Sequence, residues 1–377
     1  MPKRFGLIKR NDFNKTWLGR NYAISFVLIV WYIVTSIIIK DVYQTAVLWA
    51  ALICSGIMCV LLHELGHLIC GRLIGYKLYS LWVFFIRLAY SNGSYRLKIS
   101  QVKGYAGLCL MLPAKTDIKP NSLILLYLGG VIMNLLTFIL MLLLFVTIPT
   151  DAIFLKYFLM SLGILSLYFA VQNILPYTTR KGVKTDGQKV AELLKNRKNF
   201  GLIQKTLNKQ ALFINGVRPK DLPEISKVAD NNNGVRHPST EDYYKALDLM
   251  DKKAAYEQIV TFGNMQDKIP AYAINDIKAE ILFAYSYLSP DKEKATALYH
   301  EISKYLIKEH SVSDYRIRAA FHFYVEGKTD HSLDLIRKGM MVADRCFVKG
   351  IIPLEKALLR DIEQAILKKT GPASATA

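Results

Sequence analysis

Residues His63-Glu64-Leu65-Gly66-His67 form an H-E-x-x-H pattern inside a run that is otherwise as apolar as a membrane span. Two histidines four apart on a helix project from one face, one turn from each other, and can grip a single metal ion. Zinc accepts imidazole nitrogen readily, and with a third protein ligand it keeps a position for water, whose pKa it lowers towards neutrality. Glu64, beside the first histidine, is then placed to accept the water proton as general base. In a soluble helix the same residue types are ordinary surface polarity. Here no charged residue occurs from Val42 to Leu62, and an ionisable group in such a segment costs roughly 2.5 to 3.5 kcal/mol on insertion scales. That cost marks Glu64 and the two histidines as functional.

The elements that position them belong to a membrane protein. Of 377 residues, 52% are hydrophobic, more than a soluble enzyme carries. The formal net charge is +19, but the basic residues flank apolar segments and no basic motif is interleaved with aromatics. Membrane lipids with anionic headgroups are therefore the expected partner, and nucleic acid is not. Cys54, Cys59, Cys70, Cys109 and Cys346 include no C-x-x-C pair and read as small buried hydrophobes.

Residues 1–21 carry Lys3, Arg4, Lys9, Arg10, Lys15 and Arg20 against Asp12, which places this segment on the cytoplasmic side. Tyr22 to Ile39 is a retained first span, since it lacks a small-residue cleavage site. A second span runs inward from Val42 to Ile74 and brings His63 to His67 into the inner leaflet. The stretch from Tyr76 to Asn121 is again basic and cytoplasmic. In it Asn92-Gly93 signals a hairpin at the membrane surface. An edge of that sheet would receive an extended peptide by strand addition, or the hairpin simply packs against the helices; both readings stand. Asn121 to Thr150 leads outward and Tyr157 to Pro176 returns, so that the inner ends of the second and fourth spans share one face. Asp186, in Thr185-Asp186-Gly187, is the candidate third ligand from that face; as an alternative it would cap the helix that follows.

Several motifs in order resemble the site-2 protease family of intramembrane zinc metallopeptidases. They are H-E-L-G-H in an apolar helix, Gly104-Tyr105-Ala106-Gly107 in the next loop, Gly130 to Asn134 in the third span, and Asn173-Ile174-Leu175-Pro176 ahead of Asp186-Gly187. The resemblance covers roughly residues 45 to 195. It implies one Zn2+ ion held by His63, His67 and Asp186, Glu64 as catalytic base, and cleavage of a peptide bond in or beside a membrane-embedded peptide or protein near the cytoplasmic face. By the same resemblance Asn173 is a candidate for holding substrate or stabilising the oxyanion, and Gly104, Tyr105, Ala106 and Gly107 are candidates for the strand that meets the substrate. A bacterial cell membrane is the expected location, with peptide-signal maturation or release of a membrane-bound regulator as the role. Two features depart from the family pattern: Val131 replaces a Pro, and Tyr177 to Thr185 form a longer spacer than usual.

From residue 200 the composition is that of a soluble helical domain. Helical pairs are expected to open near Tyr243, Asn275 and Tyr315, with a last helix from Pro353 to Lys368. Starts 32 and 40 residues apart lie near the period of tetratricopeptide-like pairs. The expected organisation is a basic segment at 1–21, a protease domain at 22–199 with about four transmembrane helices and a surface β-hairpin, a cytoplasmic all-α domain at 200–370 that binds a protein partner, and a flexible tail at 371–377. His237, His300, His310, His322 and His331 share no ligand spacing. The alternative to proteolysis is a catalytically silent, metal-binding membrane scaffold or receptor acting through its helical domain, for which Glu64 would be superfluous. A transporter is a weaker third reading, since no inverted repeat is evident.

Overall fold

A computed structural model describes residues 29–30, 32–39, 41–100, 102, 105–148, 151–179, 183–225, 239–265, 269–270 and 272–370. Within them the chain divides into two compact units, Met1–Ile86, Gly104–Met111 and Lys119–Phe200 in the first and Arg87–Lys103, Leu112–Ile118 and Gly201–Ala377 in the second. The expected tail at 371–377, the basic segment at 1–21 and the early part of the first span lie outside the described residues.

The first unit is built on α1 (Val42–Leu73), α2 (Leu123–Thr147) and α3 (Ile153–Ile174). By length and composition all three can cross a membrane. Their packing is inverted relative to a soluble bundle. Ser55, Asn134, Ser161 and Ser166 are buried between the helices, while Ile53, Ile57, Leu136, Ile139, Leu140 and Leu143 face outward. Lipid solvates such an exterior, and the inward polar groups find partners within the bundle: Ser55 donates to the Phe158 carbonyl at 3.3 Å. At the crossing of α1 and α2 a side chain on Gly66 or Gly129 would run into the backbone of the other helix. Residues 32–39 are also helical. Tyr32 from this stretch is buried and donates to Ser161 Oγ at 2.9 Å, and Trp49 Nε1 donates to Ser36 Oγ at 3.1 Å. Among the described residues there are thus three candidate spans where the sequence led us to expect four, because only the later part of the stretch from Tyr22 to Ile39 is described.

After α1 come β1 (Tyr76–Val83), β2 (Ile86–Ser91), β3 (Ser94–Ile99) and β4 (Gly107–Pro113), a small antiparallel sheet in the order β3-β2-β1-β4. Asn92 and Gly93 have φ of 51° and 90°, the double left-handed turn expected of an Asn-Gly hairpin. β4 stands at one edge of the sheet and follows the loop that carries Tyr105 and Ala106.

In the second unit, α5 (Phe200–Asn215) precedes α6 (Thr240–Asp248), α7 (Lys252–Gly263), α8 (Ile274–Phe283), α9 (Lys292–Glu309), α10 (Val312–Ala320), α11 (Thr329–Ala343) and α12 (Ile352–Thr370). The helices open within a few residues of the positions expected from the pattern. Ser239 caps α6 by accepting from the Asp242 amide. At the centre Arg316 is fully buried. Its Nε donates to Glu355 Oε2 at 2.7 Å and its Nη2 to Glu280 Oε1 at 2.7 Å, while the Tyr243 hydroxyl donates to Glu280 Oε2 at 2.6 Å. One charged group thereby specifies how α6, α8, α10 and α12 meet, since any of these charges left alone in the core would be strongly unfavourable.

The β2–β3 hairpin belongs to this unit. Arg87 Nη1 and Lys98 Nζ reach Glu309 at 3.1 and 2.9 Å, Asn92 Nδ2 donates to the His310 carbonyl at 3.0 Å, and the Tyr90 ring meets Phe347 edge-on at 5.1 Å between centroids. The reading in which the hairpin packs against helices is what the structure shows for this hairpin.

Candidate metal and catalytic site

Three elements of the first unit bring their polar groups together. α1 supplies His63 and His67 one turn apart. His63 and Glu64 are buried at 7% and 6% relative exposure, within one turn of the close approach of Gly66 to Gly129 of α2. α2 supplies the surroundings: a side chain on Gly130 would occupy the space of the His63 ring, so glycine there makes room for the imidazole. α2 also orients both rings. His67 Nδ1 lies 2.8 Å from the Leu126 carbonyl, and His63 Nδ1 lies 3.0 Å from the Asn134 side-chain amide. A carbonyl acceptor fixes the proton of His67 on Nδ1 and leaves Nε2 as the free lone pair. Asn134 faces His63 with Nδ2, and it does the same for His63 once the amide is turned by a half turn to present oxygen, the two orientations being interchangeable.

The third element, α4 (Asp186–Lys195), begins with the carboxylate. Its cap is Thr185, whose Oγ1 accepts from the Gln188 amide at 3.2 Å. Asp186 is therefore the first residue of the helix and not its cap, which corrects that alternative and leaves its side chain free to turn towards the histidines. The long spacer ahead of it closes on itself: the Thr185 amide donates to the Tyr177 carbonyl at 3.1 Å, the Thr179 amide to the Val183 carbonyl at 2.8 Å, and Thr178 and Lys184 form an antiparallel bridge. Extra residues in this loop leave its two ends side by side. Gly187 completes the placement, since any side chain there would collide with the Ile174 carbonyl at the end of α3, and glycine lets the start of α4 seat directly on it.

The result is a triangle of ligand atoms. His63 Nε2 and His67 Nε2 are 3.2 Å apart, and Asp186 Oδ2 is 3.2 Å from the first and 3.3 Å from the second. Zinc bonds of about 2.0 to 2.1 Å in a tetrahedron correspond to ligand separations of roughly 3.3 Å. The donor set and its spacing thus fit zinc with a fourth position left over. Burial pushes the Asp186 carboxyl up, but the hydrogen bonds to His63 and His67 and the charge of Lys189 outweigh that and hold it well below the usual carboxylate range. Glu64 points to the start of β4: a side chain on Gly107 would strike its carboxylate, so backbone alone can stand next to it. The Ala106 carbonyl accepts from the Phe84 amide at 2.7 Å, which holds this approach in place. Tyr105 is half-buried, and Gly104 lies outside the described residues.

Residues 51–156 of this chain match the model of Peptidase family M50. This is the site-2 protease family, so the resemblance drawn from the motifs holds. M50 peptidases are zinc-dependent membrane enzymes, and the match makes this part of the chain similar to their metallopeptidase domain. It takes in His63, Glu64, His67, Gly107 and Asn134 and ends before Asp186. No match was found among curated proteins or among solved structures.

Asn173 is placed differently from the other candidates. Its Nδ2 donates to the Phe169 carbonyl at 3.0 Å within α3, and no described contact joins it to His63, Glu64, His67 or Asp186. Two contributors were not assigned a role from sequence. Asn134 appeared only as the end of a third-span motif. Lys189 stands three residues after an acidic group on a helix, the spacing of an ion pair, but in a basic stretch that spacing carries no signal by itself. Replacing Asn134 by Leu should weaken zinc binding by about 10 to 100-fold, the usual cost of losing a group that orients a ligand. Chelator competition on the purified full-length chain measures it, and unaltered affinity would show that α2 does not orient His63.

Proposed function

We propose that the chain is an intramembrane zinc endopeptidase that cuts a membrane-embedded peptide or protein in or beside its transmembrane segment. The observation that carries this reading is the triangle of His63, His67 and Asp186 next to the buried Glu64, in a segment matching Peptidase family M50. Zinc, when bound by the two imidazoles and the carboxylate, lowers the pKa of water and polarises a carbonyl. Glu64 takes the proton of the attacking water on its carboxylate and returns it to the leaving nitrogen.

The substrate has to lose its helix before it reacts, because in a helix each peptide group is already satisfied and shielded. An extended segment can then pair with the outer edge of β4, with Gly107 allowing backbone to pass beside Glu64. Asn173 could serve such a peptide only by giving up the Phe169 carbonyl. His63 lies 21 residues into α1, about 32 Å along the helix axis, which sets the reaction near one face of the hydrocarbon layer. The excess of basic residues in the sequence next to that end of α1 supports a cytoplasmic face. The paired helices of the second unit serve as a tetratricopeptide-like binding domain for a substrate tail or adaptor, and the products fit peptide-signal maturation or release of a membrane-bound regulator.

Metal removal tests the reading. Full-length protein in lipid vesicles with a library of transmembrane peptides should yield fragments, lose them after chelation, and regain them when zinc is restored. Fragments that persist in chelator would contradict a zinc mechanism.

A further inference from the structure

Asp186 is held from two sides. Oδ2 faces the two histidine nitrogens, while Oδ1 lies 3.0 Å from Lys189 Nζ, one turn along α4. The other polar side chains nearby are committed elsewhere, Lys184 and Gln188 both to Glu192 at 2.7 and 2.9 Å. A lysine in the first turn of a helix opposes the helix dipole, so its position is explained by the carboxylate it meets. Its ammonium also lies 5.9 Å from the centre of the Tyr127 ring, which supports it from α2. We propose that Lys189 is a positioning residue for the metal centre: by holding Oδ1 it makes Asp186 present Oδ2 alone, which keeps the fourth ligand position open for water.

The reasoning is one of ligand count. A carboxylate that turned both oxygens to the ion would occupy two positions, and among the described residues the contact that engages Oδ1 is the one from Lys189. Lys189 also supplies a positive charge beside Asp186 and Glu64, so that two carboxylates can sit close together in a buried place. A point charge on a flexible stem holds one oxygen without the two-pronged grip that an arginine brings.

This inference rests on the zinc reading, and its test keeps the two apart. The purified full-length chain would be prepared as wild type, Lys189→Met, Lys189→Arg and His63→Ala. Zinc affinity is measured by chelator competition, and the visible spectrum is recorded after cobalt substitution, in which four-coordinate ions absorb more intensely than five-coordinate ones. Lys189→Met should keep its zinc but give a weaker cobalt spectrum, the mark of a carboxylate that binds through both oxygens, with Lys189→Arg, which keeps a donor on Oδ1, recovering part of the intensity. If Lys189→Met matches wild type in cobalt spectrum while His63→Ala loses the metal, Lys189 has no positioning role. If His63→Ala keeps its zinc, the metal site itself is elsewhere and both proposals fall.

Discussion

Replacing Asp186 by Ala is expected to strip the protein of zinc as thoroughly as replacing His63 does. The carboxylate closes a triangle whose sides are all 3.2 to 3.3 Å, and two imidazoles on one helix turn are an incomplete site for this ion. Loss of a group that only orients a ligand costs 10 to 100-fold in affinity, so loss of the ligand itself should exceed about 100-fold. Metal content per chain, measured on the detergent-purified protein, decides the point. Wild type should carry one zinc, and Asp186→Ala and His63→Ala close to none. Undiminished zinc in Asp186→Ala would remove this residue from the centre and leave Thr185, Gly187 and the closed loop before them as packing features alone.

Glu64→Gln should have the opposite profile. The amide has the shape of the carboxylate, so it fits between α1 and Gly107 and leaves His63, His67 and Asp186 in place. Zinc content and thermal unfolding are expected to match wild type. Turnover should fall by about 10² to 10⁴, since general base catalysis contributes that much and glutamine cannot accept the proton. Kinetics on any peptide the wild type cleaves measure this. A variant that keeps zinc and also keeps its rate would mean that the base is another group.

How much of this could be read from the chain follows from which interactions are local. His63, Glu64 and His67 share one helix, and their spacing alone puts them on one face. The Asn-Gly hairpin and the openings of the C-terminal helices depend on a few adjacent residues, and they occur where such patterns place them. Asp186 could be named but its orientation could not. Whether it caps the helix or faces the histidines depends on Thr185 taking the cap, and the long spacer looked like an obstacle because its closure by Thr178 and Lys184 leaves little trace in composition. Lys189 was overlooked for a related reason: in a basic stretch one more lysine carries no signal until its partner is known. The hairpin's attachment was the least legible. Arg87 and Lys98 read as basic residues flanking a membrane, while their partner Glu309 lies 222 and 211 positions away, a pairing that no local pattern reports. Asn173 is the reverse case, since a motif directs attention to the substrate while the side chain bonds within its own helix.

The central claim is that this chain cleaves membrane-embedded polypeptides using Glu64. The most direct measurement compares, by mass spectrometry, the membrane proteins and released peptides of otherwise identical cells that express the wild type or Glu64→Gln at equal level. The account predicts at least one fragment pair present only with the wild type, joined at a single cut inside or next to an apolar segment, with the intact precursor accumulating in the variant. Identical fragment sets in the two cell lines, with zinc bound in both proteins, would contradict it and favour a metal-binding scaffold acting through its helical domain.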